Sequence, residues 1–303
     1  MHKLDMISQG QNTLLPEATR SNRKPRTLRY EISSYDRNLT TEGTSAFRWR
    51  FPNAIRDVYE VSLVGGTIPQ PTTNISSLST QAYNYSYNKF TFRVSGSNYT
   101  ITIPNGQYTA ASMAAALQVQ LNAVGTGTYT CGVNPLTGAL TITEGSGPLN
   151  FSLLFGTGSY VDTVDMMTKA VLKMNSPALL FGFLPATDYT SIAGVLASPN
   201  SMDMNLLVNR IYVYFNYDTT QDLVAYNRGL GRREPTAIIY MDDIANDRKY
   251  LNKDTYTPLM VFKPAPLARI NMLNVTFEDF FGNPVDFGGR EVSLVLEIVS
   301  LEP

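Results

Sequence analysis

Hydrophobic and polar residues alternate in short runs along most of this chain. In residues 28–32 and 47–51 every second side chain is large and apolar, and a period of two predicts strands with one buried face. Further runs of this kind, or runs rich in β-branched and aromatic residues, predict strands at 57–64, 89–94, 99–103, 128–133, 139–143, 150–155, 208–217, 237–240, 259–262, 270–278 and 291–299.

Only one segment carries a clear helical pattern. In residues 110–122, Met113, Leu117 and Leu121 recur at steps of four among several alanines, and Thr109 stands where a capping residue is expected. A weaker pattern predicts a second helix over about 162–174. Turn residues between the remaining runs favour hairpins, as at 95–98 and 134–138.

The order of these elements predicts a mainly β protein. About eight strands outside the helical region, joined by connections rich in proline and glycine, indicate an antiparallel jelly-roll sandwich. The segment around the helix predicts a small inserted α+β subdomain. The predicted organisation is therefore an N-terminal arm at 1–27, sandwich at 28–104, the insert at 105–200, and sandwich again at 201–303.

Charge is sparse and unevenly distributed. Charged residues make up 16% of the chain and the net charge is −1, which indicates no overall affinity for nucleic acid. The arm carries +3, however, and two readings of it remain open: a frayed terminus, or a segment that becomes ordered on a neighbouring protein. No apolar stretch has the length of a membrane span or a secretory signal, so we expect synthesis in the cytoplasm.

The composition excludes several kinds of chemistry. The single histidine, His2, excludes a Ser-His-Asp triad, and the single cysteine, Cys131, excludes a disulfide scaffold or a multi-cysteine zinc site. The segment Tyr240-Met241-Asp242-Asp243 matches the Tyr-x-Asp-Asp pattern of reverse transcriptases, but the chain is short for a polymerase and we interpret it as an acidic turn after a strand. We therefore expect no enzymatic activity, no cofactor and no metal.

Two groups of residues are candidates for contacts with partner proteins. Residues 227–233 contain three arginines and two glycines but no Walker lysine, so docking on an acidic neighbour is favoured over nucleotide binding. Three tyrosines alternate on one predicted strand, which favours an exposed strand face and leaves open a sugar or protein contact. With the basic residues of the arm, the candidates are Arg20, Arg23, Lys24, Arg26, Arg228, Arg232, Arg233, Tyr83, Tyr85 and Tyr87.

Four short segments resemble one family. Ser34-Tyr35-Asp36-Arg37 resembles the S-x-D-R start of minor capsid proteins of large icosahedral DNA viruses of eukaryotes. Residues 99–109, containing Ile103-Pro104-Asn105-Gly106, resemble their I-P-x-G-x-Y unit, and Leu180-Phe181-Gly182-Phe183 resembles a later L-L-G-F segment. Residues 281–290 resemble the closing hairpin of viral jelly-roll proteins, and we expect Arg290 there to pair with Asp286 or Glu291.

This resemblance implies a structural protein of the virion. The implied role is a minor capsid protein that cements the lattice of major capsid proteins, with the major capsid protein and other minor proteins as partners in a homo- or hetero-oligomer. A pentameric vertex (penton) protein of the same shell is an alternative. A carbohydrate- or host-binding sandwich module is an alternative of another class. The resemblance implies no catalytic site and no specific nucleic-acid binding.

Overall fold

Two hydrophobic cores organise the chain in the computed structural model. The structure describes residues 24–79, 84–147, 149–165, 167, 171–217, 235–242, 248–252, 258–262 and 265–301. One core is lined by strands from both ends of the chain, and the other by residues between Ile75 and Val208.

Strands dominate both parts, as the alternation predicts. In chain order the elements are β1 (Pro25–Ser33), β2 (Ala46–Pro69), β3 (Ser77–Ser79), β4 (Asn84–Ser86), β5 (Lys89–Val94), β6 (Ser97–Thr102), α1 (Ala110–Ala123), β7 (Tyr129–Val133), β8 (Ala139–Glu144), β9 (Phe151–Leu154), β10 (Thr163–Val164), β11 (Val171–Lys173), β12 (Asp188–Thr190), β13 (Val195–Ser201), β14 (Arg210–Asn216), β15 (Ala237–Tyr240), β16 (Arg248–Asn252), β17 (Pro258–Val261), β18 (Leu267–Glu278) and β19 (Ser293–Leu301). A single 3-10 turn, Ser34–Asp36, follows β1.

The first core is enclosed by an antiparallel eight-stranded sheet that curls on itself. Its order is β1-β19-β2-β18-β14-β15, and β16 and β17 also pair with β2. Strand β19 illustrates the alternation, because Leu294, Leu296 and Ile298 are fully buried while their neighbours are partly exposed. The prediction of a mainly β, antiparallel sandwich of the jelly-roll kind is confirmed.

Strand β2 belongs to both layers of this sandwich. Residues 46–58 pair with β18, whereas residues 58–67 pair with β19. Asp57, at the change of partner, has a φ of 50°, which bends the strand. The prediction of two separate strands at 47–51 and 57–64 is wrong, because a single strand continues on both sides of the bend at Asp57.

The second core fills a compact insert. Its sheets have the orders β12-β9-β5-β6 and β13-β8-β7, and α1 packs beside them. The predicted helix is confirmed: the Thr109 side chain accepts a hydrogen bond from the backbone N–H of Ser112, and the Ser112 side chain accepts one from Thr109. The buried aromatic side chains of this core include Phe90, Phe92, Tyr129, Phe151 and Phe181.

Residues before the helix also belong to the second core. Ile75, Phe90 and Ile101 are buried in the same cluster as Leu117. The domain boundaries at 104 and 200 stay a prediction, and the clustering of side chains favours an insert that runs from about residue 75 to about residue 208.

The second helix predicted at 162–174 is wrong. Thr163–Val164 and Val171–Lys173 are instead paired as short antiparallel strands. The nearby carboxylate of Asp162 accepts hydrogen bonds from the backbone N–H groups of Asn175 and Ser176, which draws the two ends of this segment together.

Candidate interface residues and the joint between the two cores

The segment Ser34–Arg37 binds the start of the sandwich to the two residues that precede its last strand. Arg37 Nη1 donates to both carboxylate oxygens of Glu291 at 2.7 Å, and the fully buried Ser34 donates to the same carboxylate. The N–H of Val292 in turn donates to the Ser34 hydroxyl at 2.9 Å. Burial raises the pKa of Glu291, but the hydrogen bonds from Arg37 and Ser34 outweigh it and hold that pKa below its ordinary value.

Asn74 ties the entry of the insert to its exit. Its side-chain amide, only 1% exposed, donates to the carbonyl oxygens of Tyr108 at 2.7 Å and Met204 at 2.8 Å. The N–H of Tyr108 donates back to Asn74 Oδ1 at 2.9 Å. Because the N–H of Asn74 also donates to Gly106, the turn at 104–108 is held against the point where the chain leaves the sandwich.

A second polar joint lies where the two cores meet. The Tyr87 hydroxyl donates to Asp279 Oδ2 at 2.8 Å, and the N–H groups of Phe281 and Asn283 donate to Asp279 Oδ1 at 2.7 and 2.9 Å. The Asn283 amide also donates to the Tyr87 hydroxyl. Phe281 packs against the core of the insert. The turn after β18 therefore contacts the insert through both polar and apolar side chains.

Burial controls the protonation of this joint. Desolvation raises the pKa of Asp279 against the hydrogen bonds from Asn283 and Tyr87, which lower it. Desolvation raises the pKa of Tyr87 well above its ordinary value, and the Asp279 carboxylate raises it further. The tyrosine is therefore held as a neutral donor, which is the form that the carboxylate needs as a partner.

The closing segment 281–290 is held to the chain between β2 and β3. The Asp286 carbonyl oxygen accepts hydrogen bonds from the N–H and hydroxyl of Thr72 at 2.8 and 3.1 Å. Arg290 donates to the carbonyl oxygens of Gln70 and Phe287. The expectation that Arg290 pairs with Asp286 or Glu291 is wrong, because Arg290 caps backbone carbonyls and Arg37 takes the Glu291 carboxylate.

The remaining segment of the resemblance makes a tight internal turn. Phe181 and Phe183 are buried on either side of Gly182, which has a φ of +82°. A Cβ at Gly182 would collide with the carbonyl oxygen of Asn200, so the close approach of the two chain segments requires glycine.

Reactive groups are not gathered at one place within the described ranges. No cluster of three or more His, Cys, Asp or Glu side chains capable of holding a metal ion occurs among these residues. Burial raises the pKa of the Cys131 thiol to about 12, so the thiol stays protonated at neutral pH. Asp242 of the Tyr-x-Asp-Asp segment forms an ion pair with Lys249, and Asp243 lies outside the described residues. No helix among the described residues has the length and apolar character needed to cross a membrane.

The predicted contact residues differ in their exposure. Lys24 and Arg26 are exposed, and Arg26 lies in β1, where it pairs in register with Ser300. The predicted exposed tyrosine face is wrong for Tyr85 and Tyr87, which are 7% and 3% exposed and stack at 4.6 Å between ring centroids. Six candidates lie outside the described residues, and their role stays a prediction: Arg20, Arg23, Tyr83, Arg228, Arg232 and Arg233.

Asn74 and Asp279 were not singled out from the sequence as contacts, and Glu291 was assigned a different partner. Asn74 carries no local signal, because its partners lie 34 and 130 positions away. Asp279 does have one, since an Asp followed by Gly and Asn-Pro is typical of a side chain that caps its own turn. Glu291 was expected to pair with Arg290, but its carboxylate accepts hydrogen bonds from Arg37, 254 positions away, and no local signal indicates that partner.

Comparisons with known proteins complete this description. No protein-family model and no curated protein matches the chain. Among solved structures, the crystal structure of the mavirus penton protein is similar with a TM-score of 0.37 and 10% sequence identity, over 92% of this chain and 100% of that one.

Proposed function

We propose that this chain is a structural subunit of an icosahedral viral shell, held in place by protein contacts and without catalytic activity. The observation that carries the proposal is the structural role of the four segments that resemble the capsid-protein family. Ser34–Arg37, the turn at 104–108, Gly182 and the turn after β18 each join parts of the fold that are distant in sequence. The polar side chains of these segments form hydrogen bonds within the chain.

The buried ionisable groups of the second polar joint support the same role. In an enzyme such groups face a cleft where substrate binds. Here Asp279 and Tyr87 are bound to each other beneath a turn, and the cavity beside them, about 20 Å³, has room for one water molecule. This arrangement is typical of a structural protein.

Within the shell we propose a minor capsid protein that binds the major capsid protein and other minor proteins. The vertex (penton) role remains the alternative. The two differ in symmetry, because a vertex protein closes a ring of five copies whereas a cementing protein bridges larger capsomers. The mass of the purified full-length chain in solution separates them: five copies support the vertex role, and one or two copies support the cementing role.

The test of shell membership is co-purification. Particles are purified from infected cells on a density gradient, and this chain is quantified by mass spectrometry against the major capsid protein. We expect a fixed ratio in every particle fraction. Recovery only in the soluble extract overturns the proposal.

The arm is tested in the same preparation. Deleting residues 1–24 leaves β1 intact, so the domain should still fold while its incorporation into particles falls. Normal incorporation would show that the arm is a frayed terminus, and a chain that no longer folds would show that the arm belongs to the core.

A further inference from the structure

One stretch of β2 has a free edge. On one side β18 pairs with residues 46–50 and again with 55, 56 and 58, with a register shift between these two parts, and on the other side β19 stops where Ser300 lies opposite Val58. Among the described residues no strand continues beyond that point. The start of β2 is partly covered, because Glu42 accepts a hydrogen bond from the N–H of Arg48. Residues 50–57 therefore have no strand partner on that side. Pro52 has no N–H, so the other residues of this stretch would supply the donors to an added strand.

A groove of about 710 Å³ lies at this edge, between the corner of β2 and strand β1. Its volume is sufficient for a short extended peptide. Arg26 and Arg56 stand exposed on its rim. Its other lining residues include partly or fully buried apolar side chains, namely Leu28, Tyr30, Ile55 and Leu301.

The wall of the groove is rigid. Tyr30 packs edge-on against Phe51 and Trp49, with ring centroids at 5.0 and 5.8 Å, and Trp49 packs against Phe51 at 4.7 Å. Aromatic contacts of this kind fix β1 against β2 across the two layers. These contacts therefore stabilise the side of the groove that contains Tyr30.

The residues that line the groove carry a net charge of +1, from Arg26 and Arg56 against Asp57. Arg56 lies directly opposite Arg269 in the β2–β18 register, and both are exposed. Like charges at such a position destabilise a sheet. Within the described part of the chain, Arg26, Arg56 and Arg269 form no ion pair with a carboxylate. An anionic group from another molecule would relieve this repulsion.

We infer that this groove binds an extended acidic peptide segment of a neighbouring protein. The segment adds a strand to the free edge of β2, places alternate apolar side chains over Leu28 and Tyr30, and directs its carboxylates to Arg26 and Arg56. The free strand edge and the apolar lining favour a peptide over nucleic acid, since a phosphate backbone would use neither. Residues 1–23 of a second copy carry a net charge of +1 and therefore suit these arginines less well than an acidic segment does.

The inference does not depend on the proposed shell role, because its test needs no particle. Fluorescein-labelled peptides of about seven residues, alternating Glu with Val or Lys with Val, are titrated with the full-length protein and followed by anisotropy. We expect the Glu peptide to bind at least about tenfold more tightly than the Lys peptide, and its affinity to fall as salt rises. The double variant R26E/R56E should reverse this preference.

The control variant R93E changes an exposed arginine of β5, outside the groove, and should bind as the wild type does. Thermal unfolding of each variant verifies the fold. Hydrogen exchange of the bound complex should show protection of the backbone amides in residues 50–57.

Several results would overturn the inference. These are equal affinity for the two peptides, an unchanged preference in R26E/R56E, and protection confined to other strands. Tighter binding of a peptide of residues 1–23 would assign the groove to the arm of a second copy. Tighter binding of an oligothymidylate through Arg26 and Arg56 would assign it to nucleic acid.

Discussion

The hydroxyl of Tyr87 and the carboxylate of Asp279, 192 residues apart in the chain, are joined by a 2.8 Å hydrogen bond between the two cores. The bond couples the orientation of the insert to the last hairpin of the sandwich. It is buried on both sides, which makes the loss of either partner costly.

The first prediction concerns this bond. Tyr87→Phe keeps the ring but leaves the buried Asp279 carboxylate one donor short, which should lower the free energy of unfolding by about 1–3 kcal/mol. Urea unfolding is followed by circular dichroism for both cores and by fluorescence of Trp49, the single tryptophan, for the sandwich. Tyr240→Phe, at a 55% exposed tyrosine, is the control. Equal stability of the two variants would show that the bond contributes nothing.

The second prediction is a pH dependence at Asp162. Burial raises the pKa of its carboxyl from 3.8 to about 6, against hydrogen bonds from Asn175 and Ser176 that lower it. A raised pKa in the folded state means that this group contributes most to stability below about pH 4 and loses that contribution as the pH rises through about 6.

Asp162→Asn removes this titration and isolates it from the other acids. The stability of the wild type relative to Asp162→Asn should fall by up to about 3 kcal/mol between about pH 4 and pH 7.5. Urea unfolding of both proteins across that range measures the difference. A constant difference would place the pKa of Asp162 near its ordinary value.

The third prediction concerns Asn74. Asn74→Asp places a carboxylate against the carbonyl oxygens of Tyr108 and Met204 in a buried site, and should cost about 3 kcal/mol or more. Asn98→Asp is the matched control, because Asn98 is exposed and its Oδ1 already accepts a hydrogen bond from Arg93. Equal melting temperatures of the two variants would show that Asn74 does not hold the entry and exit of the insert together.

The fourth prediction separates backbone strain from collision. Gly96 and Gly182 have φ angles of +78° and +82°, but open space surrounds Gly96 whereas Gly182 faces the Asn200 carbonyl. Gly96→Ala should cost about 1–2 kcal/mol through strain alone, and Gly182→Ala about 3 kcal/mol or more. Similar costs in calorimetry would show that the segment around Asn200 moves aside.

Local sequence patterns predicted the helix and most strands, but not which distant segments pack over them. The Thr109 cap, the helix after it and the hairpin of β5 and β6 depend on neighbouring residues, so they could be predicted from the sequence. Alternation at Tyr85 and Tyr87 shows only that both side chains share one face. The turn that covers that face comes about 190 residues later, and no local signal indicates it.

The groove beside β2 could be predicted from the sequence only in part. Arg26 is recognisable from the sequence as an exposed basic residue, but Arg56 and Arg269 become neighbours only through the register of β2 with β18. That register follows a shift in the pairing of β2 with β18 between Arg50 and Ile55, which no local pattern of side chains indicates.

The most direct measurement for the proposed role is a near-atomic electron cryomicroscopy map of the gradient-purified particle. Our account predicts density for the curled sheet and its insert at one fixed, symmetry-related position in the shell, with residues 50–57 of β2 beside an extended segment of a neighbour. A shell fully accounted for by other proteins, with no density for this fold, would contradict it.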